Sequence, residues 1–253
     1  MTEDKTVEKT PAKGIYLLPN LLTTGAMFCG FYAIVAGMNA KFEIAAIAVF
    51  IAMILDGLDG RVARMTNTQT EFGAEYDSLS DLISFGLAPA LVMYQWALVD
   101  MKDMGIAWGK AGWLAAFIYV ACAALRLARF NTQIGKVDKR YFIGLPSPAA
   151  AAVMVGMVWF FNDIGITGDE MKLYAFALSL FVGLLMVSNF RFYSFKDFDL
   201  KNKVPFLAIL LMILVFALTT IDPPKVLFAV FLLYSLSGPL LYLVRRYRRF
   251  RRA

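Results

Sequence analysis

Eight stretches of this chain contain no Asp, Glu, Lys or Arg: residues 14–40, 44–55, 82–99, 111–125, 141–162, 173–190, 204–221 and 226–244. A helix needs roughly 20 apolar residues, at about 1.5 Å each, to cross about 30 Å of hydrocarbon. Seven of the runs are fifteen residues or longer and can cross, some by borrowing a flank. The second has twelve, and reaches a crossing length only if its helix continues through Asp56 and Asp59 towards Arg64. The pattern therefore predicts an all-α integral membrane protein of about eight transmembrane helices, one bearing acids at its end. Composition agrees, with 60% hydrophobic and 17% charged residues against about 45–50% and about 25% in soluble domains. The first run exceeds one crossing. Because Pro19 disfavours helix at the residue before it, residues 15–20 are expected to form a short amphipathic segment along the surface.

Eight crossings place both termini on one side, and the basic residues test that arrangement. Twenty of the 25 Lys and Arg residues fall on the terminal side and five, Lys41, Lys102, Lys110, Lys172 and Lys225, on the other. The positive-inside rule then puts both termini, and the connection between the second and third crossings, in the cytoplasm. Three parts follow: a polar cytoplasmic tail (1–14), a membrane domain (15–244) and a basic cytoplasmic tail (245–253). The first tail lacks the apolar core of a signal peptide. The last holds six arginines, Arg245, Arg246, Arg248, Arg249, Arg251 and Arg252. They read as a topogenic signal and as a surface for anionic lipid heads. Nucleic acid is not expected as a partner, since no aromatic-interleaved basic surface accompanies the tail.

The chain has no histidine and two cysteines, Cys29 and Cys122, both in apolar runs. Ser-His-Asp, Cys-His and His-ligated zinc chemistry are thereby excluded. Carboxylates, Arg, Lys, hydroxyls or a bound cation must carry any reaction. Acids concentrate in one place. Asp56 and Asp59 stand i, i+3, and Asp77 and Asp81 stand i, i+4, so on helices each pair shares a face. The two helices are consecutive and joined by a short polar link, which predicts antiparallel packing and four carboxylates at one membrane surface. Two charges 4 Å apart repel by about 4 kcal/mol at an effective dielectric near 20. Such a cluster persists if it protonates, pairs with Arg61 and Arg64, or binds cations. Oxygen-only ligands in this number suit one or two hard divalent ions such as Mg²⁺ or Mn²⁺.

Written out, the stretch is Asp56-x2-Asp59-Gly60-x2-Ala63-Arg64-x8-Gly73-x3-Asp77-x3-Asp81. It resembles, at all eight specified positions, the signature of the CDP-alcohol phosphotransferase family. LPNLLT (18–23), SFGLAPA (84–90), ARFN (128–131) and GLPSPAAA (144–151) are similar to the flanks of the integral-membrane (type II) phosphatidylserine synthases. The resemblance implies transfer of a phosphatidyl group from CDP-diacylglycerol to the hydroxyl of L-serine, with release of CMP. It implies Asp56, Asp59 and Asp77 as ligands of two divalent cations, and Asp81 as general base also touching a metal. Donor contacts fall on Asn20, Leu21, Leu22, Thr23, Gly60, Arg64, Thr70 and Gly73. A multi-pass protein of the plasma (inner) membrane and a homodimer are implied as well.

A serine carboxylate would need a cation, and Arg126, Arg129, Lys136 and Arg191 all lie on the cytoplasmic side, where positive-inside charge alone also accounts for them. Pro146 and Pro148 are expected to open the fifth crossing, with Ala149–Ala152 and the pair Ala26 and Gly30 packing helices closely. Another acceptor, such as glycerol 3-phosphate, an inositol phosphate or choline, would keep the same motif. Intramembrane acids also mark ion paths in transporters, but no second copy of the motif appears in the later half of the chain.

Overall fold

The apolar runs become helices one for one. In the computed structural model, which describes residues 17–133, 141–193 and 206–251, nine α-helices follow in order. They are α1 (Leu17–Met38), α2 (Phe42–Met65), α3 (Glu71–Asp81), α4 (Ala88–Trp96), α5 (Ile106–Gln133), α6 (Ser147–Asp163), α7 (Gly168–Val187), α8 (Phe206–Ile221) and α9 (Pro223–Phe250). A π-helical turn, Leu82–Leu87, joins α3 to α4, and a 3-10 segment, Leu98–Met104, follows α4. Helices α1, α5, α7 and α9 are long and apolar enough to cross a bilayer, and the bent unit Glu71–Met104 makes a fifth candidate. Helix α2 carries too much charge for that test, while α6 and α8, at 17 and 16 residues, are shorter than it requires. Large apolar side chains such as Phe28, Phe31, Phe216 and Leu233 stand exposed on the outside, as lipid contact requires.

The segment expected along the surface falls partly outside the described residues. Its remainder, from Leu17 to Asn20, is the first turn of α1. Pro19 is accommodated there because a first-turn N–H has no intrahelical acceptor to lose. Helix α2 continues through both aspartates, as its length demanded, and stops just past Arg64. Thr68 N–H donates to the Ala63 carbonyl (3.0 Å) and Asn67 takes a left-handed φ of 52°. That is the Schellman arrangement, and it turns the chain back towards α3. The Thr70 hydroxyl then caps α3, accepting from Gly73 N–H at 3.0 Å.

The predicted packing of α2 on α3 is narrowed to the meeting of their acidic side chains. Helix α1 lies against both, while α2's principal neighbours are α1, α6, α4 and the π turn. Helix α1 thus braces both acidic helices.

The π turn has a local cause. Pro89 has no N–H for the carbonyl of Phe85, four residues back. The fully buried Tyr119 of α5 supplies the missing donor, its hydroxyl lying 3.0 Å from that oxygen. Helix α6 is the centre of the molecule, buried almost continuously from Ser147 to Trp159 and packed on α2, α4, α7 and α9. It opens as expected, with Pro146 at its cap and Pro148 in its first turn. Its alanines, and Gly30, where a Cβ would stand 2.6 Å from Ser84 Cα, are used for contacts within the chain.

One element was not expected. Strands β1 (Tyr141–Ile143) and β2 (Arg191–Tyr193) pair antiparallel, Phe142 opposite Phe192. They join the segments that follow α5 and α7.

Candidate active site

Asp56 and Asp59 project from the last two turns of α2, and Asp77 projects from α3. One carboxylate oxygen from each lies within 4.8 Å of the others. Asp59 is only 5% exposed. A buried carboxylate demands a hydrogen-bond donor or a cation, and Thr23 gives the first. Its hydroxyl lies 2.7 Å from Asp59 Oδ2 and 3.1 Å from the Pro19 carbonyl. With one proton to give, the shorter, charge-assisted bond is the stronger. The Thr23 carbonyl meanwhile accepts from Ser80 of α3 at 3.1 Å. One residue of α1 therefore tethers both acidic helices.

The rest of the α1–α3 seam is polar in the same way. Thr24 meets the Tyr76 hydroxyl at 2.8 Å, and Ser84 donates to the Ala26 carbonyl at 3.1 Å. Asn131, at the end of α5, donates to Ser78 at 3.0 Å and so ties α5 to α3.

Asp81 stands outside the triad. It lies within hydrogen-bond reach of Asp56, and the charges of Asp77 and of Arg126 on α5 act on it. Arg126 donates through Nη1 to Ser147 at 2.8 Å. Its buried Nε–H has no hydrogen-bond partner among the described residues. Tyr119 and Tyr234 also lie within electrostatic reach of it. The site thus combines a three-carboxylate corner, Asp81 beside it, and within electrostatic reach a guanidinium with an unspent donor. All three triad ligands are oxygens, the donor set that hard divalent cations take, and the spacing allows one ion to touch all three.

The expected donor contacts divide. Asn20, Thr70 and Gly73 come together: a Cβ on Gly73 would sit 3.1 Å from Thr70 Oγ1 and 3.7 Å from Asn20 Oδ1. Gly60 leaves room for Arg64 to fold back along α2, its Nη1 3.6 Å from where a Cβ would be. Leu22 is half-buried, whereas Leu21 is 67% exposed and points away from the Thr23 side of α1. Of the expected acceptor residues, Arg126 lies within electrostatic reach of Asp81. Arg129 is committed to the end of α7, reaching Asn189 Oδ1 at 2.7 Å and the Val187 carbonyl at 3.4 Å. Arg191 is exposed on β2, opposite Ile143, and Lys136 lies outside the described residues. Reasoning from sequence missed Ser147, Ser80, Tyr119 and Tyr234. Only for Tyr119 did a signal exist, in the carbonyl that Pro89 strands.

The family described as CDP-alcohol phosphatidyltransferase matches residues 16–187. A Helicobacter pylori protein named CDP-diacylglycerol–serine O-phosphatidyltransferase is 37% identical over 236 residues, 93% of this chain and 96% of its own. Proteins of the same name from Methanocaldococcus jannaschii and Bacillus subtilis are each 33% identical. The first covers 83% of this chain and 90% of its own, the second 73% and 94%.

Proposed function

The chain belongs to the CDP-alcohol phosphatidyltransferase family, and from that premise we propose that it is a CDP-diacylglycerol–serine O-phosphatidyltransferase whose reaction runs between the carboxylate triad and Arg126. The serine hydroxyl loses its proton to Asp81, and its oxygen bonds to the phosphatidyl phosphorus. The bond from that phosphorus to the bridging pyrophosphate oxygen breaks, and CMP leaves. The observation that carries this reading is the three-carboxylate corner with Asp81 beside Asp56, and within electrostatic reach the buried Arg126, whose Nε–H has no partner among the described residues.

Each group has a physical reason for its role. An alcohol is a poor nucleophile, and a carboxylate in hydrogen-bond reach of its proton typically contributes about 10²–10⁴-fold. Asp81 has the position for this, one turn beyond Asp77 and outside the metal corner. Arg126 pairs with the acceptor's carboxylate, using the Nε–H that no described residue takes. Fixing that end of serine brings its hydroxyl to Asp81, and orientation of this kind lowers the entropic part of the barrier. Asn20, Thr23, Gly60, Arg64, Thr70 and Gly73 form the donor side, where small residues let the nucleotide approach the backbone. Asp56, Asp59 and Asp77 would hold the divalent cations, Mg²⁺ or Mn²⁺ and two in number. When bound, these supply Lewis-acid stabilisation of charge on the pyrophosphate oxygens. The donor's acyl chains stay in the bilayer while CMP and serine exchange with the cytoplasm, the side to which most basic residues belong. The plasma membrane and a homodimer complete the reading, the latter open to sedimentation in detergent.

The test is CMP release by the purified chain with CDP-diacylglycerol, Mn²⁺ or Mg²⁺, and a panel of alcohols. Release with L-serine alone is the expected result. Release only with glycerol 3-phosphate, an inositol phosphate or choline would keep the chemistry and replace the acceptor. No release with any alcohol from folded protein would overturn the enzyme reading in favour of transport.

A further inference from the structure

Arg126 is held by a chain of contacts that ends on α9, in a part of the molecule beyond the residues the family match covers. Its partner Ser147 is fully buried at the start of α6. The residues just before Ser147 are fixed by the end of α7: Leu145 N–H donates to the Leu185 carbonyl at 3.0 Å, and Gly144 N–H to the Phe190 carbonyl at 2.9 Å. Gly144 has φ +80°, and a Cβ there would run into the Met186 carbonyl oxygen, so the approach depends on glycine. Next in line is the β1–β2 ladder. Three residues a side give a ladder little stability of its own, and what holds it is Phe192. That ring is fully buried, its centroid 5.7 Å from the ring of Tyr234, and it lies so close over Gly238 that a Cβ would overlap it. The Tyr234 hydroxyl donates to the Tyr193 carbonyl at 3.1 Å. Phe190 packs edge-on against Tyr242 at 5.2 Å, further along α9.

We propose that the β1–β2 ladder, seated on α9 through Phe192, Gly238 and Tyr234, is a clamp that sets the position of Arg126 and thereby the affinity for the acceptor. The proposal rests on the acceptor role given to Arg126 above. Phe192, Gly238 and Tyr234 are positioning residues: Phe192 and Gly238 act through the ladder and Ser147, and Tyr234, which holds the ladder by its bond to Tyr193, also lies within electrostatic reach of Arg126. An arginine side chain has much rotamer freedom to lose, and a seated ladder removes that freedom before the acceptor arrives. The donor side, built on α1–α3, shares none of these contacts. Loosening the clamp should therefore raise the KM for serine and leave kcat and the KM for CDP-diacylglycerol as they were.

Steady-state kinetics of the full chain in detergent, with serine and CDP-diacylglycerol varied separately, test this. Gly238→Ala, which forces a methyl into the Phe192 ring, should raise the serine KM about tenfold, in line with overpacking costs of 1–3 kcal/mol. Tyr234→Phe keeps the ring and loses only the hydrogen bond, for a rise of about fivefold; it guards against a Gly238 variant that fails to fold. Phe192→Leu removes the ring atoms a methyl would meet. Adding Gly238→Ala to it should then cause no further change. Arg126→Ala separates the two layers of the argument. If it leaves the serine KM unchanged, the acceptor reading itself fails. If it raises the serine KM while Gly238→Ala and Tyr234→Phe do not, the clamp alone is overturned. A uniform loss in kcat and both KM values in the clamp variants would also overturn it, because that is what general loosening produces.

Discussion

The acidic side of the site and the basic side are built on opposite plans. Every carboxylate comes from one short stretch, Asp56 to Asp81, on two consecutive helices braced by a third. The basic side is assembled from Arg126, Ser147, Phe192 and Tyr234, which sit on four different elements. The first plan suits groups that must converge on one small target despite repelling each other. Helical spacing fixes each pair, and α1 fixes the distance between pairs through Thr23. The second plan makes the grip on the acceptor depend on how distant parts of the chain pack. Acceptor choice can then vary while the acidic half stays the same.

The sharpest way to break this comparison is at Asp81, where the two sides meet. Asp81→Asn keeps the shape and cannot take a proton, so kcat should fall by about 10²–10⁴. Binding of CDP-diacylglycerol should persist, because the triad and the donor side are untouched. Wild-type turnover in that variant would move the base elsewhere. Arg126→Ala comes next, with an increase in serine KM of about 10–100-fold, the range for a charged hydrogen-bonding partner, and no change for the donor. Equal effects on both substrates would show that the two sides are not separable.

Thr23→Val tests whether α1 braces the metal corner or touches the nucleotide. Losing a group that orients a ligand typically lowers metal affinity by about 10–100-fold. Mn²⁺ binding, followed by electron paramagnetic resonance without nucleotide, should weaken by about the lower of those factors. Unchanged Mn²⁺ affinity with poorer donor binding would return Thr23 to the nucleotide contact that the sequence suggested.

What was legible in the sequence follows the same division. The run lengths between charges located every described helix but α3, which comes from the acidic stretch itself. The i, i+3 and i, i+4 aspartates could be placed on common faces because helical geometry acts over one turn. Packing could not be read in this way. Consecutive order suggested α2 against α3, whereas α1 packs on both and carries the hydrogen bonds that hold the corner together. The β ladder left no trace, since YFI and RFY are three-residue strands whose partners lie about fifty positions apart. Positive-inside charge made Arg126 and Arg129 look alike, although one lies within electrostatic reach of Asp81 and the other ties off α7. Small-residue stripes were visible, but nothing local says whether a lipid, a second copy or a neighbouring helix fills them. Here Ser84 fills the groove at Gly30, and Phe228 approaches Gly156 at 3.2 Å from where a Cβ would be.

The smallest effect is expected at Tyr119, and its value lies in being a stability change with little kinetic consequence. The Phe85 carbonyl is buried and has lost its helical donor to Pro89, so the Tyr119 hydroxyl satisfies a group that water cannot reach. Tyr119→Phe leaves that oxygen without a donor, at a cost of about 1–3 kcal/mol, read as a lower denaturation midpoint in detergent. Pro89→Ala restores a backbone N–H four residues after Phe85 and should offset part of that loss when the two are combined. If the double variant is no more stable than Tyr119→Phe alone, the π turn is not a consequence of the proline. If Tyr119→Phe instead changes the serine KM as strongly as Tyr234→Phe does, then α5 positions Arg126 as directly as α9, and the basic side has one more supporting element than the ladder and its seat.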